Sequence, residues 1–70
     1  MKELVEEFAR LEQEVALARI NITKFVNGAK GAKSASVKAR KNLLNIKNGA
    51  HAMRNMISRI KNEGTYKTEE

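Results

Sequence analysis

The stretch of sequence that decides the fold is residues 27–34, which read Asn-Gly-Ala-Lys-Gly-Ala-Lys-Ser. An Asn-Gly pair favours the end of a helix, because glycine adopts the left-handed C′ conformation at no steric cost. Farther along, Ser34 or Ser36 can cap a following helix by accepting a hydrogen bond from its free backbone N–H groups. The stretch therefore predicts a turn between two helices.

Two apolar repeats flank this turn, and both advance by alternating steps of three and four residues, which is the heptad pattern of packed helices. The first repeat consists of Met1, Leu4, Phe8, Leu11, Val15, Ala18, Ile22 and Phe25. The second consists of Ser36, Ala39, Leu43, Ile46, Ala50, Met53, Ile57 and Ile60. Each repeat predicts one long amphipathic helix.

We therefore predict an all-α fold, an antiparallel two-helix hairpin that resembles a coiled coil. Helix 1 is expected at about residues 2–27, the turn at 28–33 and helix 2 at about 34–62. Residues 1–63 form the hairpin domain, and residues 64–70 form a flexible tail that begins at a glycine. Folding the two repeats together sets large residues opposite small ones, as interdigitating layers require.

A second Asn-Gly-Ala triplet, Asn48-Gly49-Ala50, offers an alternative with three helices. Glycine inside a helix costs roughly 1 kcal/mol relative to alanine. We prefer a continuous helix 2, because the apolar repeat passes through Gly49 without a change of phase. A small residue at this position would admit a close neighbour.

Several apolar residues lie outside the predicted seam, and they predict a second surface that covers them. They are Leu17, Ile20, Leu44 and Met56. A chain of 70 residues buries a modest core by itself and often needs a partner. We expect a homodimer that forms a four-helix arrangement.

The charge distribution is as uneven as the apolar pattern is regular. Between Gly28 and Lys61 there are nine basic residues and no Asp or Glu, whereas the flanking segments are both net acidic. A field of one sign attracts polyanions, of which nucleic acid is the commonest. The nine candidate nucleic-acid-binding residues are Lys30, Lys33, Lys38, Arg40, Lys41, Lys47, Arg54, Arg59 and Lys61.

Four of these residues, Arg40, Lys47, Arg54 and Lys61, are spaced by seven and predict one line of charge beside the seam, with Lys33 before it on the same face. A solvated helix face or an acidic protein partner are the alternative interpretations. A second candidate is the turn, where Lys30, Lys33 and the serines lie at the positive end of helix 2. The G-x-x-G pattern of Gly28–Gly31 lacks the strands that a phosphate-binding fold needs around it.

The sequence offers little for other chemistry. There is no cysteine, and the single histidine, His51, has no second ligand residue of its kind, so we expect no metal site and no cofactor. No nucleophile and base can be paired, so we expect no catalytic residue and no enzyme activity. No apolar run approaches a membrane span and no signal peptide is visible, which favours the cytoplasm and nucleoid, or a virion if the source is viral.

Residues Lys30–Lys41 read K-G-A-K-S-A-S-V-K-A-R-K, and this motif resembles the bacterial and viral histone H1-like family of the chlamydial type. The opening Lys2-Glu3-Leu4-Val5 is also similar. The resemblance implies DNA binding and genome compaction, and by motif match it points to Lys30, Lys33, Lys38, Arg40 and Lys41. The long basic tail of some members is absent.

The expected function is sequence-nonspecific DNA binding by a nucleoid-associated, histone-like protein that compacts or bridges DNA through phosphate contacts. An RNA-binding protein and a helical-hairpin adaptor between proteins are the alternatives. Aromatic recognition of single strands has only Tyr66, in the tail, to support it.

Overall fold

The chain folds into two long helices that pack side by side in opposite directions. The computed structural model describes residues 2–28 and 30–64. Helix α1 spans Lys2–Asn27 and helix α2 spans Ala32–Glu63. The predicted all-α class and the helical hairpin are confirmed, and the molecule is 51 Å long and 17 Å across. Met1 of the predicted seam, Ala29 of the turn and residues 65–70 of the predicted tail lie outside the described residues.

Glycines in the left-handed conformation mark both ends of the turn and the end of α2. Gly28 follows α1 with a φ of 67°, and its N–H donates to the Phe25 carbonyl at 3.1 Å. Gly31 precedes α2 with a φ of 91°, and Gly64 follows α2 with a φ of 67°. Such φ values are strained for residues with a side chain, so each of these three positions favours glycine.

Helix α2 begins two residues earlier than predicted, and no serine caps it. Gly31 occupies the N-cap position without a side-chain hydrogen bond. The Ser36 hydroxyl instead donates to the Lys33 carbonyl at 2.7 Å, inside the helix. The expectation that Ser34 or Ser36 caps α2 is wrong, because both residues lie beyond the first helical positions.

The Asn48-Gly49 pair does not interrupt α2. Gly49 lies in the helix interior and faces Leu11 of α1, where an added Cβ would come within 3.2 Å of the Leu11 Cδ1 atom. The absence of a side chain at Gly49 thus lets the two helices approach closely. Gly49 directly precedes Ala50 of the predicted second repeat.

The interface between the helices is rotated by one heptad row from the predicted seam, so that the row of Glu7 and Glu14 replaces the row of Phe8 and Val15. On α1 the residues withdrawn from solvent are Leu4, Glu7, Leu11, Glu14, Ala18 and Asn21. On α2 they follow the same three-and-four spacing through Ala32, Ala35, Ala39, Asn42, Ile46, Gly49, Met53, Met56 and Ile60, with Ser36 and Ala50 beside them. About half of the predicted seam is therefore present between the helices. Met56, which was expected outside the seam, also lies in this interface.

Most of the remaining predicted seam is exposed and lies on one side of the hairpin, with the half-buried Ala50 in the same row; Phe25 is also exposed but lies outside these rows. Phe8, Val15 and Ile22 of α1 occupy the heptad row after the interface row, and so do Leu43, Ala50 and Ile57 of α2. In an antiparallel pair these two rows point to the same side. We call these six residues the apolar face.

The opposite broad side is polar. A shallow groove there is lined by Glu7, Arg10, Glu14 and Asn45, with Leu11 and Gly49 at its base. We call the residues Glu7, Arg10, Glu14, Asn21, Asn42 and Asn45 the polar face. Small residues at the centre of the interface, Ala18, Ala35 and Ala39, are the buried apolar core. Neither of the two described helices is long and apolar enough to cross a membrane.

Candidate nucleic-acid interface

A single line of five basic residues runs along α2. Because α2 begins at Ala32, Lys33 is helical and joins the four residues that the sequence placed at intervals of seven. We call the five the basic ridge: Lys33, Arg40, Lys47, Arg54 and Lys61. Their side chains are all exposed. At 1.5 Å per residue they are about 10.5 Å apart and span about 42 Å along the helix.

The charge of the basic ridge is not neutralised within the described chain. Glu63 is the only acidic residue of α2 and lies at its last position. Apart from Glu3, the described residues 2–28 and 30–64 contain one ion pair. It joins Arg10 Nη1 and Glu7 Oε1 of α1 at 2.9 Å. The ridge therefore presents unpaired cations to solvent along most of the length of the molecule.

The remaining four predicted residues lie elsewhere on the surface. Lys38 and Arg59 share the heptad row of Asn45, on the side of the polar face, and Lys41 lies in the next row outward. Lys30 lies in the turn. All four are exposed. The five residues that the sequence predicted on one face thus lie in one row of α2, and the other four predicted residues lie apart from it.

The basic ridge borders the apolar face. Its row follows the row of Leu43, Ala50 and Ile57 by one further heptad position on the same helix. A molecule that covers the apolar face therefore lies beside the ridge and leaves its charged ends accessible. Long Lys and Arg stems also cover neighbouring apolar surface.

The polar face contains a hydrogen-bond network that the sequence analysis did not predict. The Asn21 amide donates to Asn42 Oδ1 at 2.7 Å, and the Asn42 amide donates to Glu14 Oε2 at 2.7 Å. The Asn45 amide donates to the same Glu14 oxygen at 3.0 Å. Asn42 is only 8% exposed. Buried polar groups of this kind fix the register of packed helices.

Hydrogen bonding lowers the pKa of Glu14. The amide of Asn42 contributes most to the lower pKa, followed by the amide of Asn45, because both favour the ionised carboxylate. Partial desolvation opposes this effect, and the positive charge of Lys41 adds a smaller decrease. Glu14 therefore serves as an ionised acceptor for the facing helix. Its signal in the sequence was the spacing of Glu7, Glu14 and Asn21 by seven residues.

Other sites that the sequence raised find no geometry to support them. His51 is exposed on the outer side of α2. Within the described ranges no three His, Asp or Glu side chains come together in a way that could hold a metal ion. Tyr66 lies outside the described residues.

Comparison with known proteins adds no relative. No protein-family model, curated protein or solved structure matches the chain.

Proposed function

We propose that this chain binds duplex DNA without sequence preference, through contacts between the basic ridge and phosphate groups. The observation that carries the proposal is the ridge itself, with five exposed cations at regular spacing and no ion pair to a described residue. For each phosphate that a protein neutralises on B-DNA, about 0.9 of a condensed counterion is released into solution. This release drives binding. Base readout is not required.

The dimensions of the ridge suit a duplex. A span of about 42 Å exceeds one turn of B-DNA, which is about 34–36 Å. A straight helix lying along the groove edge would meet phosphates at more than one turn. Lysine and arginine are the side chains that most often make such contacts, and phosphate contacts position a protein without conveying sequence.

The proposal includes a homodimer in a four-helix arrangement. Twelve large apolar residues are exposed in the described chain, among them five of the apolar face. A hairpin of two helices leaves such residues uncovered, whereas two hairpins packed together bury those that lie on the packed faces. A dimer carries two ridges, which would bridge or compact DNA as a nucleoid-associated, histone-like protein does. The resemblance of Lys30–Lys41 to the histone H1-like family agrees with this role.

The test is the salt dependence of binding to unrelated duplexes. Five phosphate contacts predict a slope of about −4.5 in log affinity against log salt, so affinity should fall roughly 10²–10³-fold between 50 and 200 mM salt. Gel shifts with two unrelated DNA duplexes and one RNA duplex would measure this. Binding whose affinity does not change with salt, or that is confined to one DNA sequence, would contradict the proposal. A preference for the RNA duplex would identify RNA, rather than DNA, as the ligand of the basic ridge.

A further inference from the structure

A second row of α1, next to the apolar face, is symmetric in its chemistry. Val5, Glu12, Arg19 and Val26 are spaced by seven and are all exposed, the two valines at 69% and 72%. Read in either direction, the row has a valine at each end and two opposite charges between them. Neither Glu12 nor Arg19 has an ion-pair partner among the described residues.

Such a row is complementary to itself when it is turned end to end. A two-fold interface places the same patch on both subunits, so each residue must suit the residue that the rotation brings to it. A two-fold axis across the helices, midway between Glu12 and Arg19, sets valine against valine and carboxylate against guanidinium. We infer that a second copy of this chain docks on the apolar face with its helices reversed, pairing Val5 with Val26 and Glu12 with Arg19.

The size of the face suits this occupant. The hairpin is 51 Å long and 17 Å wide. A side of these dimensions has room for an interface of ~800 Å² per partner, the size of a stable protein–protein interface. The apolar face supplies the centre of that interface, and the Val5–Val26 row supplies one of its borders.

The opposite orientation, with both hairpins pointing the same way, fits less well. It brings α1 of one copy beside α2 of the other. Since Leu11 lies level with Gly49, Glu12 would then face Lys47, but Arg19 would face Arg40. The valines at the ends of the row would face Arg54 and Lys33. That dimer sets one like-charged pair, and both valines against cations, on each of its two edges, whereas the reversed dimer confines like charges to the α2 edge, where a polyanion lies between them.

The reversed orientation also determines where the two basic ridges lie. It places α2 of one copy beside α2 of the other, so both ridges line the same edge of the dimer, with five cations from each copy. Repulsion between them opposes dimerisation until a polyanion lies along that edge. Dimerisation and polyanion binding then stabilise each other reciprocally. The orientation rests on the homodimer of the proposed function, and this second step rests in addition on its polyanion binding.

Cysteine cross-linking tests the orientation, because the natural chain has no cysteine. Val5→Cys and Val26→Cys chains, one carrying a mass tag, are mixed without nucleic acid in about 1 M salt, which screens the repulsion between the ridges, and treated with a short bis-maleimide. The mixed cross-link should exceed either self cross-link several-fold. An exposed control outside the face, Ile20→Cys, should not cross-link to itself.

A different pattern of products overturns the inference. Cross-linking of Val5→Cys with Arg54→Cys in preference to Val26→Cys would establish the same-direction dimer. A chain that remains monomeric and gives none of these products would exclude a second copy and assign the face to another protein. All the substituted side chains are exposed, and circular dichroism would verify that helicity is retained.

Heparin, a polyanion without sequence, tests the coupling. At low salt it should tighten dimerisation of the natural chain by about tenfold or more, as a coupling free energy of this kind typically does. An Arg40→Gln/Lys47→Gln/Arg54→Gln variant should show little of this effect. If the cross-links form as expected and heparin changes nothing, the coupling and the ridge's role as a polyanion site are wrong while the orientation stands. If heparin binds and the cross-links fail, the reverse holds.

Discussion

The polar face and the apolar face differ in whether their side chains find partners within one chain. On the polar face, Asn21, Asn42 and Glu14 hydrogen-bond to one another, and no buried side-chain nitrogen or oxygen of the described residues lacks a partner. On the apolar face, Phe8, Leu43 and Ile57 remain about half exposed. The chain thus uses polar contacts to align its own helices and leaves much of its larger apolar surface exposed.

The largest expected effect comes from a charge placed on the apolar face. Leu43 and Leu44 are adjacent and each 50% exposed, but only Leu43 lies on that face. Leu43→Glu should raise the dimer dissociation constant on the order of 10²–10³-fold, because an uncompensated buried charge costs roughly 3–5 kcal/mol. Sedimentation velocity over a range of concentrations measures the change.

Leu44→Glu is the matched control and should leave dimerisation unchanged. If both substitutions weaken the dimer equally, the difference between the two sides of α2 is irrelevant to association, and the apolar face is not the interface.

A smaller effect is expected on the polar face. Asn42→Ala removes the partner of both Asn21 and Glu14, and an unsatisfied buried group costs about 1–3 kcal/mol. Asn45→Ala removes one hydrogen bond at an exposed position and should cost less than about 1.5 kcal/mol. The gain in helix propensity is the same in both variants. Urea unfolding at one fixed protein concentration compares them, and equal losses would show that the network does not depend on Asn42.

The smallest effect concerns pH. Because the pKa of Glu14 in the folded chain lies below its ordinary value of 4.5, the folded state binds this proton less tightly than the unfolded state. The resulting stabilisation is complete above about pH 4.5 and disappears as pH falls through the lower folded value. Glu14→Gln should therefore flatten the fall in unfolding free energy with acid.

Asn45→Ala, which removes one of the two hydrogen bonds to Glu14, should flatten the acid dependence less than Glu14→Gln does. An identical pH profile for the natural chain and Glu14→Gln would show that the hydrogen bonds to Asn42 and Asn45 do not favour the ionised form in solution.

The sequence was sufficient for the two helices and the turn but not for the way they face each other. Apolar spacing, the Asn27-Gly28 pair and Gly64 are local signals, and they locate α1, the turn and the end of α2. The facing residues depend on which rows pack closest. We assigned the most apolar rows to the interface, whereas small residues such as Ala35 and Gly49 and the paired Glu14 and Asn42 occupy part of it. A hydrogen bond between residues 28 apart leaves no periodic signal of its own.

The same limit applies to the candidate site. The spacing of Arg40, Lys47, Arg54 and Lys61 was visible in the sequence, because residues seven apart on a helix differ in direction by only about 20°. Charge alone could not separate these residues from Lys38, Lys41 and Arg59. Their separation follows from the position of α1, which fixes which side of α2 bears the polar face.

The central claim is that the basic ridge, rather than the overall positive charge, binds duplex DNA. Two variants with the same loss of charge test it: Arg40→Gln/Lys47→Gln/Arg54→Gln on the ridge, and Lys38→Gln/Lys41→Gln/Arg59→Gln off it. The measurement is the slope of log affinity against log salt for one duplex. The ridge variant should lose about 2.7 of the slope, at about 0.9 for each phosphate contact, and the other variant should retain it. Equal losses in the two variants, or no loss in the ridge variant, would contradict the account.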